Sequence, residues 1–278
     1  MTVVLETHGL IKRFGGLVAT NDVSLRVVRG ARHALIGPNG AGKTTLINLL
    51  TGVIEPTAGR IVLEGTDITA LPAHRRVGRG LVRTFQINQL FGELTPLQAL
   101  ALAVTQQQGH SARWWQPLGR DARVAERCEQ LLAEFHLTDV MQQRTAVLPY
   151  GKRRLLEIAL AIAGEPRVLL LDEPAAGVPA GEREEIFDSL ARLPADVSVL
   201  LIEHDMDLVF NFAKQVTVLV SGTVFAEGDV ASISTDPRVK AVYLGESEPP
   251  GDRMRSPPPG GDGPTWERPG VGPGDHHG

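Results

Sequence analysis

Residues Gly37-Pro38-Asn39-Gly40-Ala41-Gly42-Lys43-Thr44 fit the pattern G-x-x-x-x-G-K-[ST]. The apolar run Ala34-Leu35-Ile36 precedes them, and a helical stretch, Lys43–Leu50, follows. A phosphate-cradling loop requires that order. Glycines let backbone N–H groups wrap phosphate oxygens, and the N-terminus of the following helix adds a favourable field. Gly37, Asn39, Gly40 and Gly42 supply the loop. Lys43 is placed for the β- and γ-phosphates, the Thr44 hydroxyl for Mg²⁺, and Thr45 for the α-phosphate.

A second element stands far downstream, at Val168-Leu169-Leu170-Leu171-Asp172-Glu173. An apolar strand here delivers two acids to its carboxyl end, where ligands of open α/β sheets bind. Asp172 is placed to reach Mg²⁺ through a water, and Glu173 to orient and deprotonate an attacking water.

Around these motifs, short β-type runs fall at Val3–Glu6, Val23–Val28, His33–Ile36, Arg60–Leu63, Leu81–Phe85, Val197–Ile202, Val216–Val220 and Thr223–Ala226. Helical stretches fall at Pro96–Val104, Arg120–Phe135, Arg153–Ala163, Gly181–Leu193 and Met206–Ala213. Val168–Leu171 and Val199–Ile202 are apolar without alternation, which suits parallel strands covered on both faces. The pattern predicts an α/β fold over residues 2–246, with a helical segment inserted at about 88–163. Residues 247–278 contain 8 Gly and 8 Pro, a composition that cannot bury a core and is expected to be disordered.

Composition narrows the class. The chain has 278 residues and a net charge of −4, with Lys and Arg scattered, so no basic nucleic-acid surface is indicated. Its one cysteine, Cys128, excludes an internal disulfide framework and a multi-cysteine zinc site. No apolar run approaches the roughly 18 residues of a membrane helix, and no secretory signal is visible. These features point to a cytoplasmic protein.

The order of motifs resembles the ATP-binding subunit of ABC transporters over residues 3–245. The resemblance implies a P-loop NTPase cassette: a mainly parallel core sheet, N-terminal antiparallel strands and a helical signature subdomain. It implies that Phe14, 23 residues before Gly37, stacks on adenine. Thr84-Phe85-Gln86 resembles the Q-loop, whose glutamine ligates Mg²⁺ and couples to the membrane partner. Leu148-Pro149-Tyr150-Gly151-Lys152 occupies the place of the signature that meets ATP on a second subunit. His204 matches the switch histidine at the γ-phosphate. Narrower features resemble the branch serving branched-chain amino acid, amide or urea import: Gly80–Gln86, Leu90-Phe91, Arg153–Ala159, Asp172–Gly177, Ile202–Met206, and the ending Asp236-Pro237 with Val242–Gly245.

The resemblance implies an ATP-hydrolysing motor on the inner face of the membrane. Its implied partners are two transmembrane permease subunits, a second ATPase subunit (a different chain or a second copy) and, indirectly, an extracytoplasmic solute-binding protein. No nucleic-acid partner is implied. Residues Leu90, Phe91, Leu94 and Leu97 are candidates for permease docking or for packing the helical core. The alternative class is a soluble ABC ATPase of DNA repair or translation, which one cassette, one cysteine and no sustained heptads disfavour.

Two positions depart from the pattern. Pro149 replaces the signature serine, and proline has neither hydroxyl nor N–H to offer. Pro179 stands where many relatives place the acid or amide of the loop that crosses to the partner. The phosphate and metal residues of this chain's own site are intact, so two readings stand: branch-typical variation with little effect, or a dimer with two unequal ATP sites.

Overall fold

The structure, a computed structural model, describes residues 2–84, 90–107 and 121–244. The chain opens with strands β1 (Val3–Phe14), β2 (Leu17–Val23), β3 (Arg26–Val28) and β4 (Arg32–Ile36). Helix α1 (Lys43–Thr51), β5 (Ala58–Leu63), β6 (Thr66–Asp67), α2 (Ala73–Val77) and β7 (Leu81–Arg83) follow. Next come helices α3 (Pro96–Gln107), α4 (Ala122–Glu134) and α5 (Tyr150–Ala163). Then β8 (Val168–Asp172), α6 (Ala180–Ala191), β9 (Ser198–Ile202) and α7 (Met206–Phe212) alternate. The described chain closes with β10 (Gln215–Val220), β11 (Thr223–Asp229), α8 (Val230–Thr235) and α9 (Pro237–Leu244).

The N-terminal strands form an antiparallel sheet in which β1 pairs with β2, β3 and β5. The strand expected at Val23–Val28 is broken. Thr7 Oγ1 donates to Val23 O and accepts from Leu25 N, so a side chain of β1 takes over the ladder bonds where β2 gives way to β3. The main sheet has the order β11-β10-β4-β9-β8-β7, and all of its pairs are parallel except β10–β11. The alternating sides of β8 and β9 are both buried. Leu169, Leu171, Val199 and Leu201 face a core shared with α3, α4 and α5. Val168, Leu170, Leu200 and Ile202 face a core shared with α1 and the antiparallel sheet. The apolar runs without alternation are therefore strands between two hydrophobic layers.

Helix α5 begins three residues before the expected Arg153, so Tyr150 and Gly151 form its first turn and Pro149 caps it. Strand β6 and helices α2, α8 and α9 are short elements that the sequence pattern did not mark. Asp229 starts α8 by accepting the Ser232 N–H at 2.8 Å. Phe85, Gln86, the Trp114-Trp115 pair and the proline- and glycine-rich tail lie outside the described residues.

His33, buried in β4, places Nε2 2.8 Å from Thr217 Oγ1 of β10. Burial pushes its imidazole down to about 4. The unfolded chain takes up this proton near pH 6.5, whereas the folded chain does so only near 4. Stability carried by neutral His33 is therefore full above pH 6.5 and drains as pH falls toward 4, by about 3 kcal/mol at most. His33→Gln, which keeps a donor for Thr217, is expected to flatten that acid limb. Urea midpoints at pH 7 and pH 4.5 for both chains measure it.

Candidate functional site

The carboxyl ends of β4, β9 and β8 lie side by side, and each delivers part of one site. From β4 the chain turns through Gly37–Gly42 into α1. Gly37 and Gly42 are the positions where only glycine fits. A Cβ on Gly37 would lie 2.1 Å from Leu219 O, and one on Gly42, at φ 98°, would lie 2.4 Å from Ala19 O. Both approaches draw the loop tight against β10 and β2. Lys43 Nζ bonds back to the carbonyls of Gly37, at 2.5 Å, and Pro38, at 2.9 Å. The first turn of α1 contains no acidic residue, so its N-terminus keeps its positive field for an anion.

The other end of α1 is also fixed. The Arg76 guanidinium, 1 % exposed, donates to the carbonyls of Leu49 and Leu50 at 2.7 Å each, and to those of Thr69 and Leu71 at 2.8 Å. A cation at the C-terminus complements the helix dipole.

A cleft of about 480 Å³ opens over the loop. Asn39, Gly40, Gly42, Lys43, Thr44 and Thr45 line it, together with Glu173. The antiparallel sheet closes one side with Leu17, Val18 and Ala19, and the β10–β11 turn adds Ser221 and Gly222. Phe14 is not among the lining residues. It is half-exposed at the end of β1, paired with Leu17, and the Lys12 ammonium sits 5.1 Å from its ring centre.

Asp172 ends β8 with Oδ2 bonded to Arg83 Nη2 at 2.6 Å, while Arg83 Nη1 holds Asn48 Oδ1 of α1 at 2.8 Å. Glu173 takes a left-handed backbone, φ 48°, and its N–H donates to Ile202 O at 2.9 Å. Arg154 of α5, 3 % exposed, donates to the carbonyls of Asp172 (3.0 Å), Glu173 (3.1 Å) and Pro174 (3.0 Å) and pairs with Glu157 at 2.6 Å. The acid turn is thus clamped through its main chain. His204 follows β9 with Nδ1 3.8 Å from Glu173 Oε1 and 3.7 Å from Glu203 Oε2. Burial pushes the Glu203 carboxyl up, and the N–H groups of Ala175 and His204 oppose that shift.

Pro149, Tyr150 and Gly151 lie apart from the cleft lining, at the start of α5. Tyr150 Oη donates to Ala176 O at 3.0 Å, and the Gly151 N–H donates to Glu182 Oε2 at 3.1 Å. Sequence reasoning gave no role to Leu17, Val18, Arg83, Arg154 and Glu203, although the last three stand in stretches that resemble the import branch. Arg154 carried a further signal: it falls beside the apolar stripe Leu155-Ile158-Ile162 of α5, and a charge buried there must be paired.

The residues fit a magnesium nucleotide. The loop leaves no room for a Cβ at Gly37 or Gly42, the helix end is positive, and the Thr44 hydroxyl shares the cleft lining with the Glu173 carboxyl. No group of three or more acidic, histidine or cysteine side chains is arranged to hold a metal ion among the described residues. A phosphate-loop site needs none, because phosphate oxygens complete the metal's shell.

A glycine-built phosphate cradle at β4, an acid pair at β8 and a histidine at β9, on a parallel sheet flanked by a helical layer, define a nucleotide-binding ATPase of the ATP-binding-cassette class. The chain belongs to the ABC transporter family, whose profile matches residues 20–176. It is 40 % identical over 254 residues to the high-affinity branched-chain amino acid transport ATP-binding protein BraF of Pseudomonas aeruginosa, covering 88 % of this chain and 98 % of that one. LivG of Escherichia coli, described in the same terms, is 39 % identical over 251 residues, again with 88 % and 98 % covered. Among solved structures, an ABC transporter cassette in its ADP conformation superposes with a TM-score of 0.76 at 31 % identity, covering 88 % of this chain and all of that one. A nucleotide-free cassette gives 0.74 at 30 % identity, with 87 % and 99 % covered.

Proposed function

We propose that this chain is the ATPase subunit of an importer for branched-chain amino acids, held at the inner face of the membrane by permease subunits and paired with a second ATPase subunit. One observation carries the solute class: the likeness to branched-chain amino acid transport ATP-binding proteins runs over 98 % of their length, at 40 % identity for BraF. No described helix is long and apolar enough to cross a membrane, so transport by this chain is read as work done on other subunits.

In this reading the Gly37–Gly42 loop and Lys43 hold the phosphates. Thr44, Asp172 and Gln86 hold Mg²⁺, and Thr45 reaches the α-phosphate. The metal, when bound, neutralises charge on the β- and γ-oxygens. Glu173 orients and deprotonates the attacking water, and His204 meets the γ-phosphate. Leu17 and Val18 give the base an apolar wall, with Phe14 beside them. Pro149, Tyr150 and Gly151 face the partner's ATP. Pro149 brings no hydroxyl, and the Gly151 N–H is already taken by Glu182, so the partner's site turns over more slowly than this chain's own.

Phe91 and Val147, 75 % and 70 % exposed, stand beside a backbone link between Gly92 and Ala146 and offer an apolar contact to a permease. Leu90 and Leu97 instead pack against the helical core.

The test is uptake of labelled leucine, isoleucine and valine in cells lacking the gene. Restoration by the wild-type chain and not by Lys43→Ala is expected. Uptake that is unchanged by the deletion overturns the solute assignment.

A further inference from the structure

The chemistry above leaves one buried carboxyl next to the cleft without a task. Glu203 follows the last residue of β9, and its side chain is 1 % exposed. Its Oε1 accepts from the N–H of Ala175 at 3.1 Å, in the turn that follows Glu173. Its Oε2 accepts from the N–H of His204 at 3.2 Å. The register that pairs Asp172 with Ile202 places Glu173 and Glu203 side by side at the ends of β8 and β9. A carboxyl in such a place is unfavourable unless N–H groups meet it, and here it joins two backbone segments, each next to a catalytic side chain.

The His204 ring stands between two carboxyl groups, with Nδ1 3.7 Å from Glu203 and 3.8 Å from Glu173. It has one Nδ1–H to give. Given to Glu173, that hydrogen bond engages the oxygen that must draw a proton from water. Given to Glu203, it leaves Glu173 unengaged and leaves Nε2 for the phosphate. An imidazolium held this way donates Nδ1–H to Glu203 and Nε2–H to a phosphate oxygen.

We propose that Glu203 is a positioning residue for ATP turnover: it takes the Nδ1–H of His204, fixes the ring, and keeps the ring off Glu173. The inference rests on the ATPase reading above. Two observations select Glu203 over Glu173 as the holder. Glu203 is anchored by two backbone bonds and shielded from water, which strengthens its hydrogen bonds. Glu173 is 42 % exposed, so water competes for it. The remaining gap closes by a small ring rotation, as catalytic hydrogen bonds do on ligand binding.

The test uses the purified full chain, with Glu203→Gln, His204→Ala and the double variant. Glutamine has one acceptor oxygen for three donors. Glu203→Gln is expected to lower kcat about tenfold while KM for ATP changes by less than about twofold. In the His204→Ala background the same change is expected to alter kcat by less than about twofold, because the residue it acts through is gone. With a non-hydrolysable ATP analogue bound, ¹⁵N spectra of His204 are expected to show a hydrogen-bonded Nδ1–H in the wild type that is lost in Glu203→Gln.

An unchanged kcat in Glu203→Gln, a full tenfold loss in both backgrounds, or identical ring nitrogen shifts would overturn the inference alone. A wild-type chain that turns over no ATP would overturn the ATPase reading with it. Should Glu203→Gln not fold, Glu203→Asp carries the same comparison, since its carboxylate stops one methylene short of the ring.

Discussion

Glu173→Gln is expected to reduce ATP turnover about a thousandfold while leaving ATP affinity within about threefold of the wild type. Shape and hydrogen-bonding reach are kept, and only the basic carboxylate is removed. Glu173 is held in place by its main chain, so the substitution leaves the turn intact. Glu173 is placed by its left-handed φ of 48°, by its N–H on Ile202 and by Arg154 on its carbonyl, none of which involves its side chain. Single-turnover hydrolysis and equilibrium nucleotide binding measure the two halves. The same variant, loaded with ATP, reports assembly by light scattering. A doubled mass means that the chain pairs with itself despite Pro149, whereas an unchanged mass means that the second face belongs to another subunit. Turnover that survives the substitution would remove Glu173 from the role of base.

Arg76→Ala is expected to be the most damaging substitution away from the cleft. Four carbonyls lose the Arg76 donors at once, two of them at the end of α1, where Leu49 O keeps the Gly52 N–H at 3.2 Å, and the arginine is 1 % exposed, so little water is at hand to replace it. Unmet buried acceptors at about 1–3 kcal/mol each, partly relaxed, imply a loss of about 3–5 kcal/mol. For a chain of this size that lowers Tm by about 5–9 °C. Arg76→Lys should recover little, because an ammonium cannot fork to four carbonyls. Thermal unfolding of the three chains decides it. A shift of less than about 3 °C for Arg76→Ala would mean that α1 is held by its apolar face alone.

The parts of the site that were legible in the sequence are those held by the main chain at short spacing. Gly37 to Thr45 shape the loop and the start of α1 through consecutive backbone groups, so their order is their geometry. Asp172 and Glu173 are announced by the apolar strand that carries them. What escaped depends on contacts between distant segments. Arg76 meets Leu49 and Leu50 across a turn and a hairpin, and Arg83 meets Asp172 across 89 residues. Glu203 meets Ala175 only because β8 and β9 pair in one register. Strand boundaries failed for a similar reason, since the break between β2 and β3 is made by Thr7 of another strand. Phe14 was marked by its place in the order of motifs, and it pairs with Leu17, which lines the cleft together with Val18.

The strand order also bears on how the chain is made. Strand β4, residues 32–36, lies between β9 and β10, residues 198–202 and 215–220. At roughly 5–20 residues per second, synthesis leaves β4 with at least one bare edge for roughly 10–40 seconds before its second neighbour emerges. The loop attached to it leans on Leu219 O and lacks the Ser221–Gly222 side of its cleft until then. A ribosome-bound N-terminal half therefore carries the phosphate motif without its binding site. Truncation before β10 should yield an aggregating fragment with an open strand edge rather than a smaller ATP-binding unit.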